Sequence, residues 1–194
     1  MGYYGKSNAA NPVLIAKAEL TGDVANVIFD GVFNGETTHY KLVIVGLQLD
    51  DADTTVHFRR RAVSTEDGSF YTLSDPNNMK FGGFKGNLEN GETTLIETNG
   101  SGDYMMLDVN HIGTNATRQA LHGVIDIFPT VEHITSDFYQ SVQVNAGVWY
   151  DDAGDAWMLE RGGGVLTGVD YAGVAILPYV GNISAGKFYI YAMV

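Results

Sequence analysis

The sequence contains no cysteine and little positive charge. None of its 194 residues is a cysteine, which excludes disulfides, zinc–thiolate sites and thiol catalysis and is compatible with assembly in a reducing cytoplasm. Eleven lysines and arginines stand against 23 aspartates and glutamates, so the formal net charge is −12. Because this charge repels phosphate backbones, we expect no nucleic-acid partner.

Long apolar runs and the features of a signal peptide are also missing. Residues 1–7 lack the charged and then apolar layout of a signal peptide, and no uninterrupted apolar run approaches the length of a membrane span. We therefore expect a soluble protein without membrane insertion. A chain of this length buries about 70% of the surface that its unfolded form exposes, so it needs no disulfide or metal for stability.

Motifs that would carry catalysis are scarce. There is no Gly-x-Ser-x-Gly nucleophile motif, and Gly162-Gly163-Gly164 lacks the Lys-Ser/Thr ending of a phosphate-binding loop. The five histidines never recur at spacings that bring two metal ligands together locally. Glycoside hydrolysis needs two carboxylates across a cleft, and 23 acids make such pairs uninformative. We expect no catalytic residue, cofactor or metal, and a glycan-cleaving enzyme is the least favoured reading.

Two clusters of aspartates lie in predicted turns. They are Asp50, Asp51 and Asp53, and Asp151, Asp152 and Asp155. Carboxylates of this kind bind calcium, but neither cluster has the alternating ligands, mid-loop glycine and closing glutamate of an EF-hand. Solvated turns between strands are the alternative reading. The sequence leaves open whether either loop binds calcium.

Strand-type segments rich in Val, Ile, Phe, Tyr and Thr recur along the chain, separated by Asp-Gly and Asn-Gly turns. They span 13–20, 24–33, 40–49, 54–63, 104–109, 121–128, 138–150, 156–166, 174–180 and 187–194. A short helix is possible only at 114–122. This spacing predicts an all-β fold, an antiparallel β-sandwich of jelly-roll-like form. We expect one domain over 13–194, preceded by an N-terminal arm at 1–12.

Three strand segments give more specific predictions. Residues 40–45 are apolar almost throughout, which predicts a central strand covered on both sides. The last two apolar runs flank a Gly/Asn/Ser segment at 181–186, which predicts a β-hairpin that completes the folded unit. In its second strand Phe188, Ile190, Ala192 and Val194 share one face. The triplet at 59–61 predicts solvated or ion-paired arginines divided between two strand faces.

Aromatic residues flank the second acidic turn. Trp149 and Tyr150 precede it and Trp157 follows it, so a hairpin would bring the two indoles close together. Exposed, the pair could stack on a sugar ring or on a partner protein; buried, it would serve as a core anchor. Burial is the favoured alternative because large aromatic side chains are buried on average.

Five segments share an order and a pattern with a known group of proteins. They are Val27–Phe33, Tyr40–Ile44, Val56–Arg60, Gly123–Pro129 and Gly181–Tyr191. Together they resemble the strands of tailed-bacteriophage virion proteins, with a Tyr-x-x-Leu/Val-x-Ile strand, a Gly-x-Ile-x-Ile-Phe-x-Pro strand and a closing Gly-Asn-Ile segment. The resemblance implies a β-sandwich of the capsid decoration, tail or fibre appendage type, commonly trimeric, and transfers no catalytic residues.

The resemblance leads us to expect a virion structural protein, assembled in the host cytoplasm, that docks on other virion proteins as a homotrimer. Tyr3 and Tyr4, between glycines in the arm, are candidate docking residues, and a frayed terminus is the alternative. The short arm favours docking on a shell or tail over display on a fibre. The alternative function is a receptor-binding head or carbohydrate-binding module that contacts host glycans through Trp149, Tyr150 and Trp157.

Overall fold

The computed structural model describes residues 11–33, 37, 39–51, 54–63, 67–72, 79–87, 93–98, 105–106, 120–128, 139–149, 157–167 and 171–194. These ranges contain thirteen strands. They are β1 (Pro12–Leu20), β2 (Val27–Phe29), β3 (Tyr40–Leu49), β4 (Val56–Val63), β5 (Phe70–Thr72), β6 (Met79–Asn87), β7 (Thr93–Thr98), β8 (Met105–Met106), β9 (Ala120–Phe128), β10 (Tyr139–Trp149), β11 (Trp157–Thr167), β12 (Tyr171–Pro178) and β13 (Ile183–Met193).

The strands form two antiparallel sheets. One has eight strands in the order β1-β13-β3-β9-β10-β11-β6-β7, and the other has five, β2-β12-β4-β5 with β8 beside β4. The predicted all-β antiparallel sandwich is confirmed, whereas this strand order does not confirm a jelly roll. In the ranges given above, no helix has the length and apolar character needed to cross a membrane. The helix considered at 114–122 is wrong for residues 120–122, which belong to β9; residues 114–119 lie outside the described ranges.

Side chains from both sheets meet in one apolar core. Leu42, Ile125 and Phe188 from the eight-stranded sheet pack with Phe58 and Ile176 from the five-stranded sheet, and all five are almost fully buried. Burying a side chain of this size contributes about 1.5–3 kcal/mol. The two sheets are therefore held face to face by the alternate residues that each directs inward.

Strand β3 is central in its sheet, between β13 and β9, but only one of its faces is fully covered. Tyr40, Leu42 and Ile44 are buried, Val43 is half-buried and Val45 is 40% exposed. The prediction of a strand covered on both sides is therefore wrong. The physical reason is that the second sheet packs against one face alone, and the apolar run continues onto the opposite, outer face.

The two C-terminal strands do not form the predicted hairpin. Strand β12 pairs with β2 and β4 in the five-stranded sheet, and β13 pairs with β1 and β3 in the eight-stranded sheet. The connection at 179–182 crosses from one sheet to the other. Gly181 has a φ of 79°, and a Cβ there would lie 2.5 Å from Asp50 Oδ1. Glycine is required because the turn passes directly over the loop after β3.

The second of these strands fits its prediction in part. Phe188, Ile190 and Ala192 are buried on one face as predicted, whereas Val194 is exposed because it lies beyond the end of β13. Strand β13 is hydrogen-bonded on both sides, to β1 and to β3. It is therefore an internal strand of the larger sheet.

The arginine triplet lies on β4. Arg61 is ion-paired, since its Nε and Nη2 donate to the two carboxylate oxygens of Asp30 at 2.8 and 2.9 Å. The prediction of an ion-paired residue is thus confirmed for Arg61. Arg60 is 3% exposed and lies with Phe58 on the face of β4 that packs into the core, so of the two predicted states the solvated one does not apply to it.

Candidate functional site

The outer face of the eight-stranded sheet is a broad surface whose residues follow from strand register. Residues directly opposite each other in an antiparallel pair point to the same face. Opposite the core residues, this register places two rows across β1, β13, β3 and β9. The rows are Leu14, Tyr191, Lys41 and Asp126, and Lys17, Tyr189, Val43 and Val124. We call this surface, with Val45, Phe128 and Lys187 at its margins, the outer sheet face.

Much of the outer sheet face is apolar or aromatic. Tyr189 and Tyr191 are half-buried, and Val45 and Phe128 are 40% and 38% exposed. These side chains stand on strands that are hydrogen-bonded to neighbours on both sides, so the surface that they form is rigid. Contiguous partly exposed apolar side chains on a rigid sheet are typical of a surface that binds a partner.

A fixed ion-pair network lies on the β9 side of this surface. Asp126 Oδ1 accepts from His39 Nε2 at 2.7 Å and from Lys41 Nζ at 2.9 Å, and the His39 ring stacks on Phe128 with centroids 4.5 Å apart. Burial alone would raise the pKa of Asp126, but the hydrogen bonds from Lys41 and His39 outweigh it and lower the pKa. The carboxylate is therefore ionised and held in place at neutral pH.

Charge is segregated between strands and connections. The thirteen described strands contain nine of the 11 basic residues and four of the 23 acidic residues, a net +5. Positions outside those strands contain two basic and 19 acidic residues, a net −17. On the outer sheet face the described charges are nearly balanced, since Lys17 Nζ lies 3.5 Å from Glu19 Oε1, Lys41 Nζ lies 2.9 Å from Asp126 Oδ1, and Glu19 stands opposite Lys187 in register.

Three connections meet at one end of the sandwich and are acidic. They are 21–26, 50–55 and 179–182, joined by the bridge between Val24 and Ile183 and by hydrogen bonds between Asp50 and Asn182. Their sequences hold four aspartates and no lysine or arginine. We call the described residues of these connections the acidic end.

Two exposed side chains project from the acidic end. Tyr179 and Val180 are 69% and 52% exposed. Their backbone is nonetheless fixed, because Tyr179 N–H donates to Thr55 O at 2.9 Å and Val180 N–H donates to Thr54 Oγ1 at 3.0 Å. The Tyr179 ring also lies against the buried His57 ring, with centroids 5.6 Å apart. A large aromatic side chain is therefore displayed on a rigid turn.

In the first aspartate cluster, Asp50 is hydrogen-bonded to the turn at 179–182. Asp50 accepts from Asn182 N–H and, at 2.7 Å, from Asn182 Nδ2, and these bonds lower the pKa of Asp50. Asp53 lies outside the described residues, as does the whole of the second cluster at 151–155. Across the part of the chain that the structure describes, no group of three or more His, Asp or Glu side chains is placed to hold a metal ion.

The aromatic residues predicted to bind glycans are partly described. Trp149 and Trp157 are direct partners in the register of β10 and β11. The prediction that a hairpin brings these two residues together is confirmed for the backbone. Tyr150 lies outside the described residues, and so do the candidate docking residues Tyr3 and Tyr4.

Histidines in the described ranges make ordinary hydrogen bonds. His39 bonds with Asp126, His57 Nε2 lies 3.0 Å from Thr55 Oγ1, and His122 Nδ1 accepts from Gly46 N–H at 3.3 Å. The bond between His39 and Asp126 joins residues 87 positions apart in the sequence. The only local signal for this network is the spacing of His39 and Lys41, which places both on one side of an extended chain.

One Ser-x-x-Lys spacing occurs in the chain, at Ser184 and Lys187. On a helix this spacing places a serine nucleophile beside its lysine base. Both residues lie in β13, where three extended residues span roughly 10 Å. Because both residues lie on a strand, they lack the helical geometry on which the chemistry of this motif depends.

An open pocket lies beside β1, where the edges of the two sheets approach each other. Its lining includes Ile15, Val32, Tyr40 and Ala192, with Asp30 at one side. The Asp30 carboxylate is already bound by Arg61. The pocket is thus a recess of mixed polarity in the sandwich edge, with an ion-paired carboxylate.

No protein-family model, curated protein or solved structure matches the chain. The resemblance to phage virion proteins rests on the five sequence segments named above.

Proposed function

We propose that this protein is a structural component of a tailed-phage virion, a capsid decoration or appendage protein that works by docking on other virion proteins. The observation that carries the proposal is the outer sheet face. It presents tyrosines, valines and a phenylalanine on a rigid sheet and holds the Asp126 carboxylate in fixed ion pairs. Such a mixture of aromatic anchors and ordered polar groups suits protein–protein recognition.

The proposal extends to assembly and location. The protein assembles in the host cytoplasm, resides in the virion and is a homotrimer, as the resemblance implies. Tyr3 and Tyr4 in the N-terminal arm supply a second docking element. No catalytic residue, metal or cofactor is assigned.

A pair of matched variants tests docking through the outer sheet face. Val45 lies on this face and Ile28 lies on the outer side of the five-stranded sheet, and both are 40% exposed. Val45→Asp should reduce the amount of protein in purified particles of the phage that encodes it, measured by quantitative mass spectrometry. Ile28→Asp should leave that amount unchanged. Equal incorporation of the two variants, or absence of the wild-type protein from particles, contradicts the proposal.

A second candidate function is glycan binding, favoured by one observation. The register of β10 and β11 places Trp149 directly opposite Trp157, and paired aromatic residues on a sheet form a stacking platform for sugar rings. Binding of the wild-type protein to a glycan array, lost in a Trp149→Ala/Trp157→Ala variant that remains folded, would support this function over docking. An array without signal would remove it.

A further inference from the structure

We propose that two copies of this protein join edge to edge, with strand β1 of one copy pairing antiparallel with β1 of the other across a two-fold axis at Ala18. The eight-stranded sheets of both copies then form one continuous sheet. This inference goes beyond the proposed function, because it rests on the sheet edge and requires neither the outer sheet face nor a virion. In a trimeric protein, as proposed above, the contact joins neighbouring trimers.

Strand β1 leaves backbone groups free at the edge of its sheet. Among the described strands it pairs with β13 alone. Val194 N–H donates to the residue before β1 and Met193 N–H donates toward β3, so the even-numbered residues of β13 bond to β1. Ala18 stands opposite one of these even-numbered residues and directs its backbone groups to β13. Lys17 and Glu19 therefore direct their N–H and C=O groups away from the sheet.

Only the second half of β1 is regular enough to accept another strand. Pro12 has no N–H, and the register shifts between Leu14 and Ala16. Proline and bulges are features that protect a sheet edge from further pairing. From residue 16 to residue 20 the register with β13 is unbroken. An edge of this kind is completed by another extended strand.

The order of charges on this edge identifies the partner as a second copy. Two β1 edges bond only when residues with outward groups oppose each other, which allows residue 17 opposite 17, 19 opposite 19, or 17 opposite 19. The first register opposes two lysines and the second opposes two glutamates. The third opposes Lys17 to Glu19, and the two-fold symmetry repeats that pair. Opposite charges on facing residues stabilise a strand pair, whereas like charges destabilise it.

Both charged side chains are accessible to a second copy. The Lys17 and Glu19 side chains are 62% and 44% exposed, and their contact within one copy, at 3.5 Å, is a surface ion pair, which contributes little to stability. Glu19 also stands opposite Lys187. In the paired copies it therefore lies between Lys187 of its own chain and Lys17 of the second copy. Charges of opposite sign face each other across both strand pairs.

The geometry on the two-fold axis suits the residue found there. In this register Lys17 and Glu19 of the two copies exchange four backbone hydrogen bonds, and Ala18 faces Ala18 of the second copy in a non-hydrogen-bonded pair. The two Cα atoms of such a pair lie about 4.5 Å apart, within the range of about 4.4–6.8 Å that a disulfide spans. The contact can therefore be trapped covalently.

Disulfide trapping tests the register, and the chain has no cysteine of its own to interfere. Ala18→Cys in the full chain should form a covalent dimer on oxidation, measured on a non-reducing gel. Ala16→Cys is the matched control, since residue 16 has the same partial burial on the same strand but lies roughly 13 Å from its copy in this register. Ala18→Cys should cross-link about tenfold faster. Equal rates, or no dimer from Ala18→Cys, overturn the inference.

Charge reversal on the Ala18→Cys background tests the identity of the partner. Lys17→Glu alone and Glu19→Lys alone each oppose like charges twice and should each slow cross-linking by about tenfold. The double reversal restores both unlike pairs and should restore the rate, as should an equimolar mixture of the two single reversals. The single reversals change the net charge in opposite directions, so a general charge effect cannot slow both. Circular dichroism checks each fold, and a double reversal without rescue overturns the inference.

Hydrogen exchange of the wild-type protein distinguishes a second copy from other occupants of the edge. The amides of Lys17 and Glu19 should be protected at high protein concentration and exchange faster on dilution. Protection that is independent of concentration would mean that residues of the same copy cover the edge, and no protection at any concentration would mean that nothing does. Either result overturns the inference. A protein that pairs through β1 but is absent from purified particles would contradict the proposed function alone.

Discussion

Asp50 and Asn182 are joined by three hydrogen bonds, although they lie 132 positions apart in the chain. The Asp50 carboxylate accepts from the backbone N–H and from Nδ2 of Asn182, and Asp50 N–H donates to Asn182 O at 3.0 Å. The contact ties the end of β3 to the turn in which the chain passes from one sheet to the other.

Replacing Asp50 by alanine should lower the melting temperature. The substitution removes the two bonds made by the carboxylate and leaves the turn at 179–182 held by its remaining backbone bonds. Asp67→Ala is the control, because the Asp67 carboxylate accepts from the backbone N–H and the hydroxyl group of Ser69, two residues further along the chain. Differential scanning calorimetry should show a larger decrease for Asp50→Ala than for Asp67→Ala; equal decreases would show that the contact is not stabilising.

Stability should fall in acid through the aspartates whose pKa is lowered in the folded state. Both Asp126 and Asp50 have lowered pKa values. Their contributions are complete above the unfolded aspartate pKa of about 3.9 and are lost as the pH falls through the lower folded values.

Urea unfolding at several pH values checks this dependence. Asp126→Asn should be less stable than the wild type near neutral pH because it cannot form the same ion pairs with Lys41 and His39. The difference between the two proteins should shrink as the pH falls below about 3.9. A difference that stays constant down to pH values of about 2 would show that the charge of Asp126 does not contribute.

The two-bond ion pair between Arg61 and Asp30 should be specific for arginine. Lysine presents a single ammonium group and cannot donate two parallel hydrogen bonds to one carboxylate. We expect Arg61→Lys to reduce the free energy of unfolding by about 1 kcal/mol. A double-mutant cycle with Asp30→Asn measures the coupling directly; additive effects of the two substitutions would show that the pair contributes nothing.

Local patterns of apolar and β-branched residues made several strands predictable. The expected segments at 40–49, 121–128 and 138–150 correspond closely to β3, β9 and β10. Strand β6 was missed because its sequence, MKFGGFKGN, contains three glycines and two lysines and lacks the β-branched residues that mark strands. Strand β2 is shorter than the apolar segment that contains it, because Val24 forms only an isolated bridge to Ile183.

Relations between distant segments were not predictable from pattern. A short connection between two apolar runs is equally consistent with a hairpin and with a crossing between sheets, and the pairing partners of β12 decide between them. The network of His39 and Asp126 likewise depends on β3 lying beside β9. The acidic end and the outer sheet face therefore depend on the strand order, which local sequence patterns do not reveal.

Strand β13 should be indispensable for folding. It pairs with both β1 and β3 and buries Phe188 and Ile190 completely. Phe188→Ala should cost about 3–5 kcal/mol, a large part of the roughly 5–15 kcal/mol by which domains are stable. Deleting residues 188–194 should prevent folding. Val194→Ser, at an exposed side chain in the same segment, should change little. Chemical denaturation of the point variants and circular dichroism of the truncated chain measure these effects, and a truncated chain that melts within a few degrees of the full one would place β13 outside the stabilising core.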